Sequence, residues 1–323
     1  MNSKKILVTG TAGFIGYHLS KSLLDDGYTV MGVDNINAYY DTKLKKNRIL
    51  NLNNYKKFSF SKIDISNKFK LKEVFNSFRP YKVINLAAQA GVRYSIENPY
   101  AYMKSNMIGF LNIIELCKIY NINGFVYASS SSVYGKNKKI PFSIDDNVDS
   151  PISLYAATKK SNELIANVYS ELFNLHTTGL RFFTAYGPWG RPDMAIFIFV
   201  NNILKNKPIQ IFNHGKMKRD FTYIDDIVNG IRLAMDKNYK CKIFNLGNNK
   251  SEDLMKVVKL IEENLNCKAK IEFQPMQMGD VKESFANIDK SIEMLNYKPS
   301  VNIEEGIKKF IDWYKSYHNL NDL

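Results

Sequence analysis

Only three cysteines, Cys117, Cys241 and Cys267, stand in 323 residues, and they stand far apart. Without a Cys-x-x-Cys pair the chain encodes no thiolate metal site or dithiol centre, and no even disulfide framework can be drawn. A reducing, cytoplasmic setting and no bound metal are therefore expected. No apolar run approaches the roughly 20 residues of a membrane helix. The chain passes from Met1-Asn2-Ser3 through Lys4-Lys5 into Ile6-Leu7-Val8, without the apolar stretch of a secretory leader. No membrane partner is expected, and there is no internal repeat or low-complexity tract. The formal net charge of +14 would suit nucleic acid. The lysines, however, are scattered along the whole chain among many Asn and Ile, as an AT-rich coding bias would scatter them, and no basic helix or RNA-binding aromatic motif occurs. Nucleic acid is not expected as a partner.

A hydrophobic content of 45% over this length is enough for one large α/β unit or two interleaved lobes. Strand-like runs at Ile6 to Val8, Thr29 to Val33, Phe58 to Ile63, Lys82 to Leu86, Phe125 to Ala128 and His176 to Phe182 alternate with helical spacing such as Leu111, Ile114, Leu116. That alternation predicts an α/β fold, a doubly wound parallel Rossmann sheet. From Gly187-Pro188-Trp189-Gly190 onward, helical pieces (Ala195 to Leu204, Ser251 to Leu265, Ile303 to Tyr317) stand between isolated strands and turns. This predicts a smaller, interleaved C-terminal α/β substrate lobe, with residues 1–182 and 222–249 in the first domain and 183–221 and 250–323 in the second.

Directly after the first strand comes Gly10-Thr11-Ala12-Gly13-Phe14-Ile15-Gly16, then a helical pattern. Glycine lets backbone approach a pyrophosphate, and a helix N-terminus offers free N–H groups. A tight strand-to-helix turn alone would show the same residues. The second strand decides, because it ends in Asp34, 24 residues beyond Gly10, where a carboxylate accepts from ribose hydroxyls and repels a 2′-phosphate. NAD is the expected cofactor, lined also by Phe14, Ile15, Asn35, Ile65, Leu86, Ala87 and Ala88. Asp64 is either a partner of the adenine edge or part of a helix cap.

The fifth strand runs into Ser129-Ser130-Ser131-Ser132, at the sheet edge where open α/β folds bind ligands. Tyr155 and Lys159 follow, four residues apart and so on one helix face, about 6 Å along the axis. Tyr17/Lys21, Tyr39/Lys43, Tyr100/Lys104 and Tyr134/Lys138 share that spacing. Position singles out Tyr155/Lys159, the pair that follows the serine run. Oxidising a secondary alcohol needs a base for the hydroxyl proton, and a phenol with pKa near 10 must be brought down to about 7, by roughly 4 kcal/mol of phenolate stabilisation. Lys159 and the nicotinamide ring are the expected suppliers.

Taken with Arg219-Asp220-Phe221-Thr222-Tyr223-Ile224-Asp225-Asp226, these motifs resemble the extended short-chain dehydrogenase/reductase superfamily of nucleotide-sugar enzymes. Four longer stretches, DNINAYYDTKLKKNRI, NLAAQAGVRYSIENP, LYAATKKSNE and GLRFFTAYGPWGRPDMA, are similar to the UDP-glucuronate 4-epimerases, and the similarity runs through essentially the whole chain. The resemblance implies tightly bound NAD and a UDP-sugar substrate that is oxidised at C4, turned over as the 4-keto intermediate and reduced from the other face. It implies an isomerase serving polysaccharide biosynthesis, active as a homodimer through helices near Tyr102 to Tyr120 and Lys160 to Phe173, with internal packing as the other use of those helices. In this scheme Ser130 assists Tyr155, Lys159 tunes it, and Arg219 and Asp280 contact the diphosphate and uridine ribose in the second lobe. Where hexose-type 4-epimerases carry an Arg, this chain has Gln277, which leaves the diphosphate more dependent on Arg219 and Arg93. Arg93 is either such a contact or a structural residue beside Tyr94.

The 4,6-dehydratases and UDP-glucuronate decarboxylases carry acidic residues just after the catalytic hydroxyl residue, and here those positions hold Ser131 and Ser132. A uronate carboxylate would be held by Ser131, Ser132, Thr184 and Arg191, although Arg191 would equally pin the Gly187 to Gly190 loop. Two other readings remain: a 4-epimerase of UDP-glucose or of an N-acetylated hexose or uronate, and a noncatalytic NAD- or RNA-binding relative, which would not be expected to retain Tyr155 and Lys159.

Overall fold

A computed structural model of the chain describes residues 4–277 and 279–320; Met1, Asn2 and Ser3, on which the leader reading rested, lie outside the described residues. The first half alternates β1 (Lys5–Thr9), α1 (Phe14–Asp25), β2 (Thr29–Asp34), α2 (Thr42–Asn53), β3 (Phe58–Lys62), α3 (Lys68–Phe78) and β4 (Lys82–Asn85). Short helices α4 (Tyr94–Glu97) and α5 (Pro99–Tyr102) and a π-helical segment, Met103–Gly109, lead into α6 (Phe110–Ile119), β5 (Gly124–Ser130), α7 (Leu154–Phe173) and β6 (Thr177–Phe182). Then follow β7 (Thr184–Tyr186), α8 (Ala195–Leu204), β8 (Ile209–Ile211), β9 (Lys218–Arg219), β10 (Phe221–Tyr223), α9 (Ile224–Lys237) and β11 (Cys241–Leu246). The chain ends through β12 (Glu252–Asp253), α10 (Leu254–Leu265), β13 (Ile271–Phe273), β14 (Glu283–Ser284), α11 (Asp289–Leu295) and α12 (Ile303–Tyr317).

Seven parallel strands form one sheet in the order β3-β2-β1-β4-β5-β6-β11, the expected doubly wound fold. The order reverses between β1 and β4, and ligands of such sheets bind at that switch point, beyond the carboxyl ends of the strands. Apolar strands buried on both faces (Ile6, Leu7, Val8, Val83, Ile84, Phe125, Val126) leave little choice but helices on either side. Sequence periodicity locates α8 and α12 to the residue, but α10 starts at Leu254 rather than Ser251, because Glu252 and Asp253 pair with Arg219 and Lys218. Beyond this sheet stand three small ones with strands of two or three residues, β7 with β10, β8 with β13, and β12-β9-β14.

Two buried carboxylates brace the carboxyl edge. Glu163 on α7 pairs with Arg181 on β6 at 2.9 Å and accepts from Ser129 at 2.6 Å. Asp220 accepts backbone N–H groups of Asn248, Asn249 and Ala286 and the Thr222 hydroxyl, so it ties β10 to the loops after β11 and β14; burial, partly offset by those bonds, lifts its pKa to about 6.

Candidate active site

One cleft of about 930 Å³ runs along the carboxyl edge of the sheet, at the upper end of the range for small-molecule sites. At its first end, the Gly10 to Gly16 turn shows why glycine stands there. Gly10 has φ +76°, and a Cβ on it would lie 2.7 Å from the Ala87 nitrogen. A Cβ on Gly13 would come 2.9 Å from the Gly10 carbonyl oxygen, and one on Gly16 would overlap that same oxygen. Helix α1 has no side-chain cap and no acidic residue in its first turn, whereas Asp41, Asn67 and Ser153 cap α2, α3 and α7. Its first N–H groups thus stay available to an anion. Asp34, at the end of β2, accepts from the backbone N–H of Ala12 (3.1 Å) and of Ile36 (2.8 Å), which aims the carboxylate across the glycine turn. Burial raises its pKa, against those two bonds and the charge of Lys45. A cradle that any Cβ would fill, uncapped N–H groups and a carboxylate fixed beside them fit an adenosine diphosphate with free ribose hydroxyls, as NAD offers.

Asn35, Ile65, Leu86, Ala87 and Ala88 line the same end with Phe14 and Ile15. Asp64 stands apart from the cleft wall, which takes its neighbours Ile63 and Ile65 instead. It accepts from the Ser66 N–H and hydroxyl at 2.9 and 2.8 Å and pairs with Lys104 at 3.2 Å, while Asn67 is the residue that caps α3.

In the middle of the cleft, Ser153 starts α7 by accepting from Ala156 N–H at 3.1 Å, which sets Tyr155 and Lys159 facing inward. Of the five Tyr-Lys pairs, Tyr155/Lys159 alone has both members on the cleft wall. Lys21 is taken by Asp25, Tyr100 is exposed, and Tyr134 is buried against Asn245. Lys159 donates to the Ala128 carbonyl at 2.8 Å, and burial, opposed by the Glu163 charge, pushes its pKa down to about 8. Burial raises the pKa of Tyr155, and a hydrogen bond with Ser130 and the charge of Arg191 work the other way. Burial thus opposes the expected phenolate stabilisation, and Ser130 and Arg191 favour it. Ser130 closes the turn into the 3-10 segment Ser131–Tyr134 by accepting from the Ser132 N–H at 3.2 Å. Ser131, Ser132, Thr184 and Arg191 line this part of the wall.

Arg191 does not stand free. Its Nε donates to Asp193 at 3.0 Å, and Tyr39 donates to the same carboxylate at 3.2 Å. Burial works against the guanidinium charge, but Asp193 outweighs it and raises the pKa of Arg191; burial with the Asp193 charge pushes Tyr39 up to about 12. Arg93, Arg219, Gln277 and Asp280 converge at the far end, with Arg93 3.6 Å from Asp280 and stacked 5.0 Å over the Phe212 ring. Buried Gln277 Oε1 has no partner among the described residues. Desolvation lowers the pKa of Arg219, against the charge of Asp280. Sequence reasoning missed Tyr39, Lys45, Asp193 and Phe212 on this wall. Asp193 follows Arg191 by two residues, and that spacing was the available signal.

Among the described residues no group of three His, Cys, Asp or Glu side chains could hold a metal ion. The family model described as GDP-mannose 4,6 dehydratase matches residues 7–310. An uncharacterised protein of Methanocaldococcus jannaschii is 54% identical, over 97% of both chains. UDP-glucuronate 4-epimerase 2 of Arabidopsis thaliana is 47% identical, over 98% of this chain and 77% of the relative. The crystal structure of UDP-glucuronic acid 4-epimerase from Bacillus cereus, in complex with UDP-glucuronic acid and NAD, superposes with TM-score 0.92 at 34% identity, covering 97% of this chain and 99% of that one.

Proposed function

The chain belongs to the UDP-glucuronate 4-epimerases, within the broader family that the GDP-mannose 4,6-dehydratase model describes, and we propose that its cleft interconverts UDP-glucuronate and UDP-galacturonate. NAD, held by the Gly10 to Gly16 cradle and Asp34, supplies a reversible hydride acceptor for C4. Tyr155 takes the C4 hydroxyl proton and later returns it, and Ser130 holds the oxygen in reach. Lys159, anchored on Ala128, would hold the nicotinamide ribose. Burial works against ionisation of the phenol, and the charge of Arg191 works for it, as the positive ring of a bound cofactor would.

The observation that carries this reading is that Tyr155 and buried Lys159 line one cleft together with Arg191, Thr184, Ser131 and Ser132. A 4-ketouronate is a β-keto acid and loses CO₂ when its carboxylate stands perpendicular to the carbonyl. An arginine with short hydroxyls beside it fixes the carboxylate away from that geometry. The turn after Ser130 carries no acid to move a C5 proton, so dehydration has no base there. In the second lobe, residues 183–221 and 250–323, we assign the diphosphate and uridine ribose to Arg93, Arg219, Gln277 and Asp280.

Denaturing freshly purified protein should release NAD rather than NADP, since an epimerase that returns its hydride gains nothing from exchanging the cofactor. Asp34→Ala should weaken NAD binding by roughly 10- to 100-fold, the range for hydrogen bonds to a charged group. Calorimetric titration of NAD into the stripped variant checks this, and unchanged affinity would remove Asp34 from its role.

We further assign a homodimer. Exposed Leu111 and Ile119 on α6 and Leu164, Val168 and Leu172 on α7 form an apolar face, three of them at four-residue spacing. Val168→Asp with Leu172→Asp should halve the mass seen by light scattering; a wild-type monomer sinks the assignment. No helix among the described residues is long and apolar enough to cross a membrane, and the three cysteines are free. We propose a cytoplasmic enzyme that makes precursors for uronate-containing polysaccharides.

A further inference from the structure

The turn that carries Arg191 is strained and held by side chains of α1 and α2. Gly187 and Trp189 both have positive φ, +142° and +60°, and a bulky residue keeps that conformation only where its surroundings impose it. Three successive carbonyl oxygens supply the hold. His18 on α1 donates from Nε2 to Pro188 O at 2.8 Å, and burial keeps this imidazole neutral by lowering its pKa to about 4. Arg48 on α2, fully buried, donates from one terminal nitrogen to Trp189 O at 2.5 Å and to Gly190 O at 3.2 Å. Its other terminal nitrogen donates to Ala12 O, inside the glycine cradle, and to the Tyr40 hydroxyl, each at 2.8 Å. Among the described residues the Nε has no partner, and the guanidinium faces carbonyls and the Tyr40 hydroxyl with no carboxylate bonded to it. Nine residues before it, Tyr39 holds Asp193, which holds Arg191.

We propose that Arg48, with His18 and Tyr39, positions Arg191, and that the segment after Asp34 thereby decides whether the ketouronate is reduced again or loses CO₂. This rests on the uronate reading above. In the losing branch the C5–C6 bond breaks, its electron pair enters the C4 ketone as an enolate, CO₂ departs and C5 takes a proton. The 4-ketopentose then either regains the hydride at C4, giving UDP-pentose, or leaves while the cofactor stays reduced.

The test compares wild type, Arg191→His, Arg48→Met, Arg48→Lys and Tyr39→Phe. It reads the ratio of UDP-pentose plus ketopentose to UDP-galacturonate by NMR, together with the absorbance of reduced cofactor. Arg48→Met should raise the ratio on the order of tenfold, the effect of losing an ordinary hydrogen bond in the clamp, with Arg48→Lys between it and wild type. Tyr39→Phe should move it a few-fold in the same direction. Trp189 packs on Trp313 at 5.5 Å and these are the chain's two tryptophans, so their emission reports the turn without substrate and should shift in Arg48→Met. If Arg48→Met does not fold, Arg48→Lys and Tyr39→Phe decide. An unchanged ratio in the Arg48 and Tyr39 variants beside a raised one in Arg191→His overturns the positioning role and leaves the uronate reading standing. An emission of folded Arg48→Met identical to wild type overturns it as well. A wild type that does not convert UDP-glucuronate removes both.

Discussion

Tyr155→Phe should lower turnover by roughly 10²- to 10⁴-fold, the usual effect of deleting a general base, while cofactor stays bound. The ring keeps its place in the wall, edge-on to Tyr102 at 6.0 Å, and the hydroxyl alone is lost. Lys159→Met should be comparably damaging, since it removes the buried ammonium that Ala128 and Glu163 orient. Lys104→Met is the control. It shares the Tyr-x-x-x-Lys spacing, but its exposed ammonium only pairs with Asp64, and exposed pairs contribute about 0 to 1 kcal/mol. Steady-state kinetics in which the two lysine variants behave alike would mean that the wrong pair has been chosen.

Arg191→His should change what is made as well as how fast. With the carboxylate no longer held by the permanent charge of a guanidinium braced on Asp193, part of the ketouronate reaches the decarboxylating geometry, so UDP-pentose and reduced cofactor accumulate beside UDP-galacturonate. Thr184→Val should act in the same direction and more weakly, because it removes a neutral donor and leaves the charge. Product analysis by NMR checks both. Activity that falls in proportion, with no pentose and no reduced cofactor, would mean that Arg191 only pins its loop.

The fold class was legible because the strand-helix alternation is long and regular, and α8 and α12 carry clean helical spacing. The cradle was legible because glycine is demanded there by contacts of its own backbone, a local constraint that sequence spacing displays. The small sheets were harder: strands of two or three residues such as β9, β12 and β14 have no measurable period, so Glu252 and Asp253 read as helix. The π-helical segment Met103–Gly109 left no trace either, yet it turns Asn106 inward to hold the Gln89 backbone. Links of very long range were out of reach. His18 meets Pro188 and Tyr39 meets Asp193 across more than 150 positions, and no spacing rule relates them. Asp64 is as open in the structure as in the sequence: it accepts from Ser66 and from the cleft-lining Asn35 and pairs with exposed Lys104.

The central claim is that C4 is oxidised and reduced by an internally returned hydride while C5 keeps its hydrogen. Incubating the wild-type protein with UDP-glucuronate in D₂O and following the sugar signals by proton NMR tests it directly. The account predicts UDP-galacturonate with protium at both C4 and C5, no UDP-pentose, and UDP-glucose left unconverted. Deuterium at C5 or C4 of the product, or UDP-glucose turned over as readily as UDP-glucuronate, would contradict it.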